Sequence, residues 1–343
     1  NGLFVTPVFT KDGYVAGITT DGILLAFDRS TGHRAWSAFT LPAAGGPPAL
    51  APPRGYNGGG MLAPAFRQEM WNIVMGREVV VGNTPAVHPE TGRIYITGGG
   101  ETSDSGALYA IDTSEDGPVM AFVTPMGGGS GTSPAISSDG ALVYVADGDG
   151  HMLAVDAGSG SVVWRADGVQ GAASPSINPD GTVYSFSGSD IIALDGATGE
   201  IAWSRSYDGL AEEQLGAFAA SGAPLRGRID GILTLTDGPE HTLLWACINL
   251  GVEFGTTAIP QRIVLAALDA RDGRVMSTTE IRDSSSALIV PAPGGRIYVS
   301  LAGVTTSSLH FGVGERLPET LRRPGPPKAG LVALDPISAE VTR

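Results

Sequence analysis

The sequence contains a single cysteine, Cys247, so no disulfide can form within the chain. This residue lies in the segment Leu243–Asn249, whose pattern is that of a strand. The pattern predicts a buried free thiol in preference to a catalytic one. Cysteine usage therefore gives no evidence for an oxidising compartment and does not exclude one.

Basic residues and long apolar runs are also scarce. The chain has 21 Lys and Arg against 35 Asp and Glu, a net charge of −14, and no basic cluster. Because a phosphate backbone is bound mainly by clustered Lys and Arg, we expect no nucleic-acid partner. No apolar run approaches the about 18 residues of a transmembrane helix, so we expect no membrane span. The segment that begins at Asn1 does not resemble a signal peptide, which indicates that a leader has been removed or that the chain is part of a longer one.

Motifs for metal binding and nucleophilic catalysis are missing as well. The Gly-rich segment Met126–Ser133 lacks the lysine of a phosphate cradle, and Thr132 replaces the last glycine of a nucleophile elbow around Ser130. The turn Asp147-Gly-Asp149-Gly150 is not followed by ligands at EF-hand spacing, so we interpret it as a hairpin turn. The histidines show no metal-ligand spacing; they are His33, His88, His151, His241 and His310. The sequence therefore predicts no catalytic residue and no metal ligand.

Glycine, proline and an internal repeat are abundant instead, with 50 Gly and 24 Pro in 343 residues. The sequence pattern from Ser133-Pro134 to Trp164 is repeated from Ser174-Pro175 to Trp203. Short runs rich in β-branched and aromatic residues, such as 141–146 and 151–155, alternate with Gly-rich turns. A marker, an apolar residue followed by Asp, recurs at Asp28, Asp112, Asp156, Asp195, Asp269 and Asp335.

A period of about 40 residues with four short apolar runs per unit is typical of a β-propeller blade. We therefore predict an all-β fold, a β-propeller of four-stranded antiparallel blades, with six blades favoured and seven or eight as alternatives. Because a propeller grows by adding blades, residues 1–343 are predicted to form one domain. Its largest departures from the repeat are a Pro/Gly-rich insertion at 37–83 and a long loop at 302–329.

Two sets of repeated residues have a functional and a structural interpretation. Trp36, Trp164 and Trp203 resemble a cofactor-stacking set, but their shared repeat position favours packing between neighbouring blades. The marker aspartates resemble an acidic ring, but each precedes a turn that a side-chain carboxylate stabilises. We therefore predict that both sets are structural.

These repeats resemble the PQQ-like repeat of quinoprotein-type propellers, which has a Ser/Thr-Pro entry, an apolar strand ending in Ala-x-Asp, and a Thr-Gly-x-apolar-x-Trp end. The chain is more similar to the scaffold propeller of the outer-membrane β-barrel assembly machinery than to the longer PQQ alcohol dehydrogenases, which usually have a pair of adjacent cysteines. The resemblance implies a periplasmic or extracellular protein. Four units match closely, namely 6–36, 84–122, 133–164 and 174–203.

Blade topology assigns the long connections to one face of the propeller. Connections after fourth strands, and those between second and third strands, lie on the same face; here they are 37–83, 98–106, 204–221, 251–261 and 302–329. Long loops are uncommon unless they carry function, so this face is the predicted binding surface. In the first insertion, a short helix is one interpretation of 65–75. Tyr56, Arg67 and Trp71 are predicted to contact a ligand or partner, with packing against a blade as the alternative for the apolar side chains.

We therefore expect a non-catalytic, exported propeller that binds a protein partner or a cell-surface ligand through its long-loop face, with no cofactor. The alternative is an enzyme at the propeller funnel, either a PQQ-dependent dehydrogenase with calcium or a propeller hydrolase or lyase. No residue of this chain aligns with the calcium or catalytic residues of the quinoprotein enzymes, so none is assigned to those roles.

Overall fold

The computed structural model describes most of the chain as short antiparallel strands. The described residues are 5–42, 80–102, 105–114, 117–127, 132–169, 174–216, 222–237, 242–254, 257–283, 289–293, 296–301, 319 and 330–334. Within them the strands form six sheets, five of four strands and one of three. In every sheet the strands lie side by side in chain order. The architecture agrees with the predicted all-β blade fold.

The first three sheets follow the predicted repeat. Sheet 1 contains β1 (Val8–Phe9), β2 (Tyr14–Ile18), β3 (Ile23–Asp28) and β4 (Phe39–Thr40). Sheet 2 contains β5 (Ala86–Val87), β6 (Ile94–Gly99), β7 (Ser105–Ser114) and β8 (Gly117–Gly127). Sheet 3 contains β9 (Ala135–Ile136), β10 (Leu142–Ala146), β11 (His151–Asp156) and β12 (Val162–Asp167). In each sheet the first strand begins directly after the Ser/Thr-Pro entry, because proline lacks the N–H that a ladder needs.

The last three sheets depart further from the repeat. Sheet 4 contains β13 (Ser176–Ile177), β14 (Thr182–Ser187), β15 (Asp190–Asp195) and β16 (Ile201–Ser206), and helix α1 (Asp208–Gln214) follows it. Sheet 5 contains the long strands β17 (Leu225–Asp237), β18 (Thr242–Phe254) and β19 (Thr257–Asp269), and the shorter β20 (Val275–Ile281). Sheet 6 contains β21 (Ile289–Pro291), β22 (Ile297–Leu301) and β23 (Gly330–Leu334).

Contacts divide the chain into two compact units. The first comprises Asn1–Tyr56, Ala65–Thr182 and Asp195–Glu200, and the second comprises Asn57–Pro64, Val183–Leu194 and Ile201–Arg343. In the first unit, apolar side chains of sheets 1 and 2 form one core, with Ile18, Ile96 and Tyr109 among its buried members. Sheets 2 and 3 form another, which includes Tyr95 and Val143. In the second unit, sheets 5 and 6 share a core around Trp245 and Val299.

The interpretation of 251–261 as a loop is wrong in part. β18 continues to Phe254 and β19 resumes at Thr257, so the two strands form a long hairpin with Val252 opposite Ile259. Gly251 and Pro260 face each other at a register shift, and these two residues are what makes the sequence look like a loop. No helix in the described part of the chain is long and apolar enough to cross a membrane.

Candidate functional site

The repeated tryptophans pack between neighbouring sheets, as predicted. Within the first unit, the Trp164 Nε1–H donates to the carbonyl of Gly196 in the last turn of sheet 4, at 2.9 Å. Within the second unit, the Trp203 Nε1–H donates to the carbonyl of Ala270 in sheet 5, at 3.2 Å. Trp36 is buried in the core of sheets 1 and 2. These three rings pack between strands of the protein itself, so they are not placed to stack on a cofactor.

Most of the described marker aspartates stabilise turns, also as predicted. Asp28 accepts hydrogen bonds from the backbone N–H and the hydroxyl of both Ser30 and Thr31. These bonds lower the pKa of Asp28 to about 2. Asp156 and Asp195 accept equivalent bonds from the turns that follow them. An aspartate whose oxygens are used in this way is a structural residue.

Asp112 is different, because its carboxylate holds Arg93. The Arg93 Nε lies 2.7 Å from Asp112 Oδ1, and its Nη2 lies 3.0 Å from Oδ2. The same guanidinium donates through Nη1 to the carbonyls of Ala157 and Gly158 in sheet 3. Asp112 is therefore also structural. Through Arg93 it connects sheet 2 to sheet 3, whereas Asp28, Asp156 and Asp195 each stabilise a single turn.

The predicted ligand-contacting residues Tyr56, Arg67 and Trp71 lie outside the residues that the structure describes. The same is true of most of the insertion at 37–83 and of the loop at 302–329, as well as of Asp335, His241 and His310. Their predicted roles remain predictions. Polar groups that the structure does describe lie at the corresponding ends of sheets 3 and 5. We call the end where the second strand turns into the third the front end, and the opposite end the back end.

The front end of sheet 3 carries a buried carboxylate and an imidazole. Asp147, whose side chain is 1% exposed, lies 3.0 Å from the His151 Nδ1. Its Oδ1 also accepts the backbone N–H of Asp149 at 3.0 Å and of His151 at 2.9 Å. Arg165 and Asp167 on β12 complete the cluster, with Asp167 Oδ1 3.4 Å from His151 Nε2.

A carboxylate that orients an imidazole is used in general bases and in metal sites. Here the carboxylate of Asp147 has a structural role, because it accepts the backbone N–H of His151 within the turn. At the same place in sheet 1, the Thr19 hydroxyl accepts the backbone N–H of Ile23 in the same way. Gly150 has a φ of +93°, as a hairpin turn of this kind requires. The Asp147–Gly150 segment is therefore the predicted hairpin turn, and His151 is a polar group at its edge.

The front end of sheet 5 carries helix α1, which the sequence analysis did not predict. Asp208 begins the helix, and its Oδ1 accepts the backbone N–H of Gly227 on β17 at 2.9 Å. The guanidinium of Arg226 links Asp208 Oδ2, at 3.0 Å, to Glu253 Oε2 on β18, at 2.7 Å. These two carboxylates raise the pKa of Arg226. We call Asp208, Arg226 and Glu253 the front clasp.

The other end of α1 is held as well. Arg262 donates to the carbonyl of Gln214 at 3.3 Å, and the Gln214 amide donates to Thr278 at 3.3 Å. Tyr207, just before the helix, is 2% exposed, and its hydroxyl donates to the carbonyl of Gly273. Burial raises the pKa of Tyr207. A helix fixed at both ends presents its exposed residues, Glu212 and Glu213, in one defined position.

A calcium-dependent quinone cofactor would need a set of carboxylate and amide oxygens around the metal. Within the described ranges, no group of three or more His, Cys, Asp or Glu side chains is placed to hold a metal ion. The single thiol, Cys247, is 1% exposed in sheet 5. No described residue is therefore assigned to this cofactor.

Comparisons with known proteins agree with the repeat analysis. The family model described as outer membrane protein assembly factor BamB matches residues 60–227. No curated protein matches the chain. The fold is similar to the crystal structure of BamB from Moraxella catarrhalis, with a TM-score of 0.50 and 18% identity over 89% of this chain and 77% of that one.

The fold is also similar to the quinohemoprotein alcohol dehydrogenase ADHIIG from Pseudomonas putida HK5. The TM-score is 0.51 and the identity 14%, over 94% of this chain but only 65% of that enzyme. At such identities both likenesses show the fold alone. The chain therefore has a β-propeller fold and resembles the PQQ-like propellers, among them the outer membrane protein assembly factor BamB.

Proposed function

We propose that the chain is a non-catalytic binding or scaffold module, which engages a protein partner through the front ends of its sheets. The observation that carries this proposal is the front clasp with α1. An enzyme site needs converging reactive groups, whereas a docking surface needs exposed side chains on a rigid support. The front end of sheet 5 has exposed side chains on a rigid support, because α1 is fixed at both ends.

The match to an outer membrane protein assembly factor supports the same proposal. It also supports location in the periplasm and a partner among the components that assemble outer membrane proteins. The second candidate, a PQQ-dependent enzyme, has fold likeness in its favour and no ligand set among the described residues.

Photo-crosslinking at single positions tests the proposed surface. A photoreactive amino acid would replace Glu212 on α1 or Asp149 at the front end of sheet 3, both of which are exposed. The matched controls are Asp272 and Asp139, exposed at the back ends of the same two sheets. In the native cells, we expect the front positions to crosslink to an outer membrane protein assembly component and the back positions not to do so. Crosslinks to that component from the back positions alone would contradict the proposal.

A further inference from the structure

One face of sheet 5 changes from apolar to polar towards its front end. Trp245 and Cys247 on β18 pack in the core shared with sheet 6. Because side chains two residues apart share a face of a strand, Asn249 is the next residue on that face. Across the ladder, Asp230 lies opposite Cys247 and Arg228 opposite Asn249. We call Arg228, Asp230 and Asn249 the polar trio.

The side-chain oxygen of Asn249 accepts no hydrogen bond from any residue that the structure describes. The residue is 2% exposed, and its Nδ2 donates to Asp230 Oδ2 at 3.3 Å. This bond fixes the orientation of the amide, since the flipped amide would place two acceptors against each other. The Asn249 Oδ1 is buried and has no hydrogen-bond partner among the described residues. Buried acceptors are almost always paired, because an unpaired one loses its hydration without compensation.

Arg228 and Asp230 set the charge around this acceptor. Both have further interactions within the structure, so neither is unpaired. Burial lowers the pKa of Arg228, and the charge of Asp230 opposes this shift. Together the two side chains carry no net formal charge. A ligand at Asn249 Oδ1 therefore meets two side chains of opposite charge, of which Arg228 lies opposite Asn249 on the neighbouring strand.

We propose that the polar trio binds a neutral amide, a peptide group of the partner protein. Its N–H donates to Asn249 Oδ1, and its carbonyl accepts from Arg228, whose guanidinium has five N–H donors. A carboxylate would be repelled by Asp230 and would give Asn249 no hydrogen, whereas an ammonium group would be repelled by Arg228. An amide combines one donor and one acceptor without charge.

The route to the site leads from the front end. Arg228 is partly exposed whereas Asn249 is enclosed, so entry of an amide requires the long Arg228 side chain to move aside. The front clasp is close to this entrance, because Arg226 lies two residues before Arg228 on the same face of β17. This binding mode rests on the proposed function: it places a main-chain segment of the partner at the surface that α1 also forms.

N-acetylglycinamide, a small neutral diamide, is the probe that tests this site. We expect it to bind the full chain saturably, with NMR shift changes at Arg228 and Asn249. Asn249→Leu and Arg228→Met should each weaken this binding about tenfold, the loss of one buried hydrogen bond. Cys247→Ala, two residues away on the same face of β18, is the matched control and should bind as the wild type does.

Sodium acetate and methylammonium chloride distinguish an amide site from an ion site. We expect both to bind about tenfold more weakly than the diamide. Equal or tighter binding of either ion, no saturable diamide binding, or equal binding by Asn249→Leu and Arg228→Met would each overturn the inference. Crosslinking at the front positions is measured separately. If it persists while diamide binding fails, the polar trio is not the site, and the proposed function stands.

Discussion

The marker aspartates show how one residue type is used in two ways within a repeat. Asp28 and Asp156 accept hydrogen bonds from the turns that follow them, whereas Asp112 holds Arg93 across two sheets. The first use is readable from sequence, because Asp before a short Gly-containing turn predicts a side-chain cap. The second use cannot be inferred from the sequence, since Arg93 lies just before β6, 19 residues from Asp112, and also donates to a carbonyl of sheet 3.

The turn aspartates predict a specific loss of stability in acid. Hydrogen bonds lower the pKa of Asp28 and Asp156 in the folded state. Their stabilising contribution is therefore complete above the unfolded pKa and is lost as the pH falls towards the folded pKa. In Asp28→Asn/Asp156→Asn the oxygen acceptors remain and the titration is removed. We expect the unfolding free energy of this variant to fall less than that of the wild type between about pH 5 and about pH 2.5.

Urea unfolding at a series of pH values measures this difference. The matched control, Glu212→Gln/Glu213→Gln, removes the same charge from α1 without touching a turn aspartate, and should keep the pH dependence of the wild type. Equal pH dependence in the Asp28→Asn/Asp156→Asn variant and the wild type would show that these carboxylates do not stabilise the fold.

Asn249 was not predictable from the sequence. Its proposed role depends on the burial of Oδ1 without a donor among the described residues, and on the face that Asn249 shares with Arg228 and Asp230. In the sequence these three residues look like ordinary polar positions of strands, and nothing in it indicates that they lie close together. By contrast, the pairing of Asp147 with a hairpin turn was predicted, because the spacing of Asp and Gly is local.

Among the strands and turns, sheets 3 and 4 are joined through a ring packed over a glycine. A Cβ built on Gly199 would lie 2.7 Å from two ring atoms of Trp164. The φ of Gly199 is +76°, in the region that favours glycine. The Thr-Gly turn of one sheet therefore receives the tryptophan of the sheet before it.

We expect Gly199→Ala to destabilise the protein by more than its backbone strain alone. Gly168→Ala is the matched control, because Gly168 has a φ of +85° and open space around a built Cβ. Both substitutions carry the strain of a left-handed residue, about 1 kcal/mol. Only Gly199→Ala also displaces an aromatic ring, which adds about 1–3 kcal/mol. Thermal or urea unfolding compares them, and equal losses would contradict the role of this glycine in packing.

Strands with a clear repeat were predicted closely, whereas the departures in sheet 5 were not. The predicted runs 141–146 and 151–155 correspond to β10 and β11 within one residue at each end. The hairpin of β18 and β19 was missed at its tip because Gly251 and Pro260 are atypical of strands. Helix α1 had a usable signal, since Asp208 precedes Leu210, Ala211 and Leu215 at helical spacing.

For the whole molecule, the repeat determined the fold class and left the function open. Turn glycines, Ser/Thr-Pro entries and marker aspartates are architectural, so they predict blades and not a ligand. The predicted contact residues Tyr56, Arg67 and Trp71 fall outside the described residues, and their role stays a prediction. The surface that the structure does describe, the front clasp with α1, is built by residues from three separate elements.

Under the proposed function, this propeller binds a partner and does not use the quinone. Calorimetric titration of PQQ into the calcium-loaded full chain tests it most directly, because the measurement needs no knowledge of substrate or partner. We expect no saturable heat at micromolar concentrations. Saturable, stoichiometric binding of PQQ would contradict it and would identify the chain as a quinoprotein.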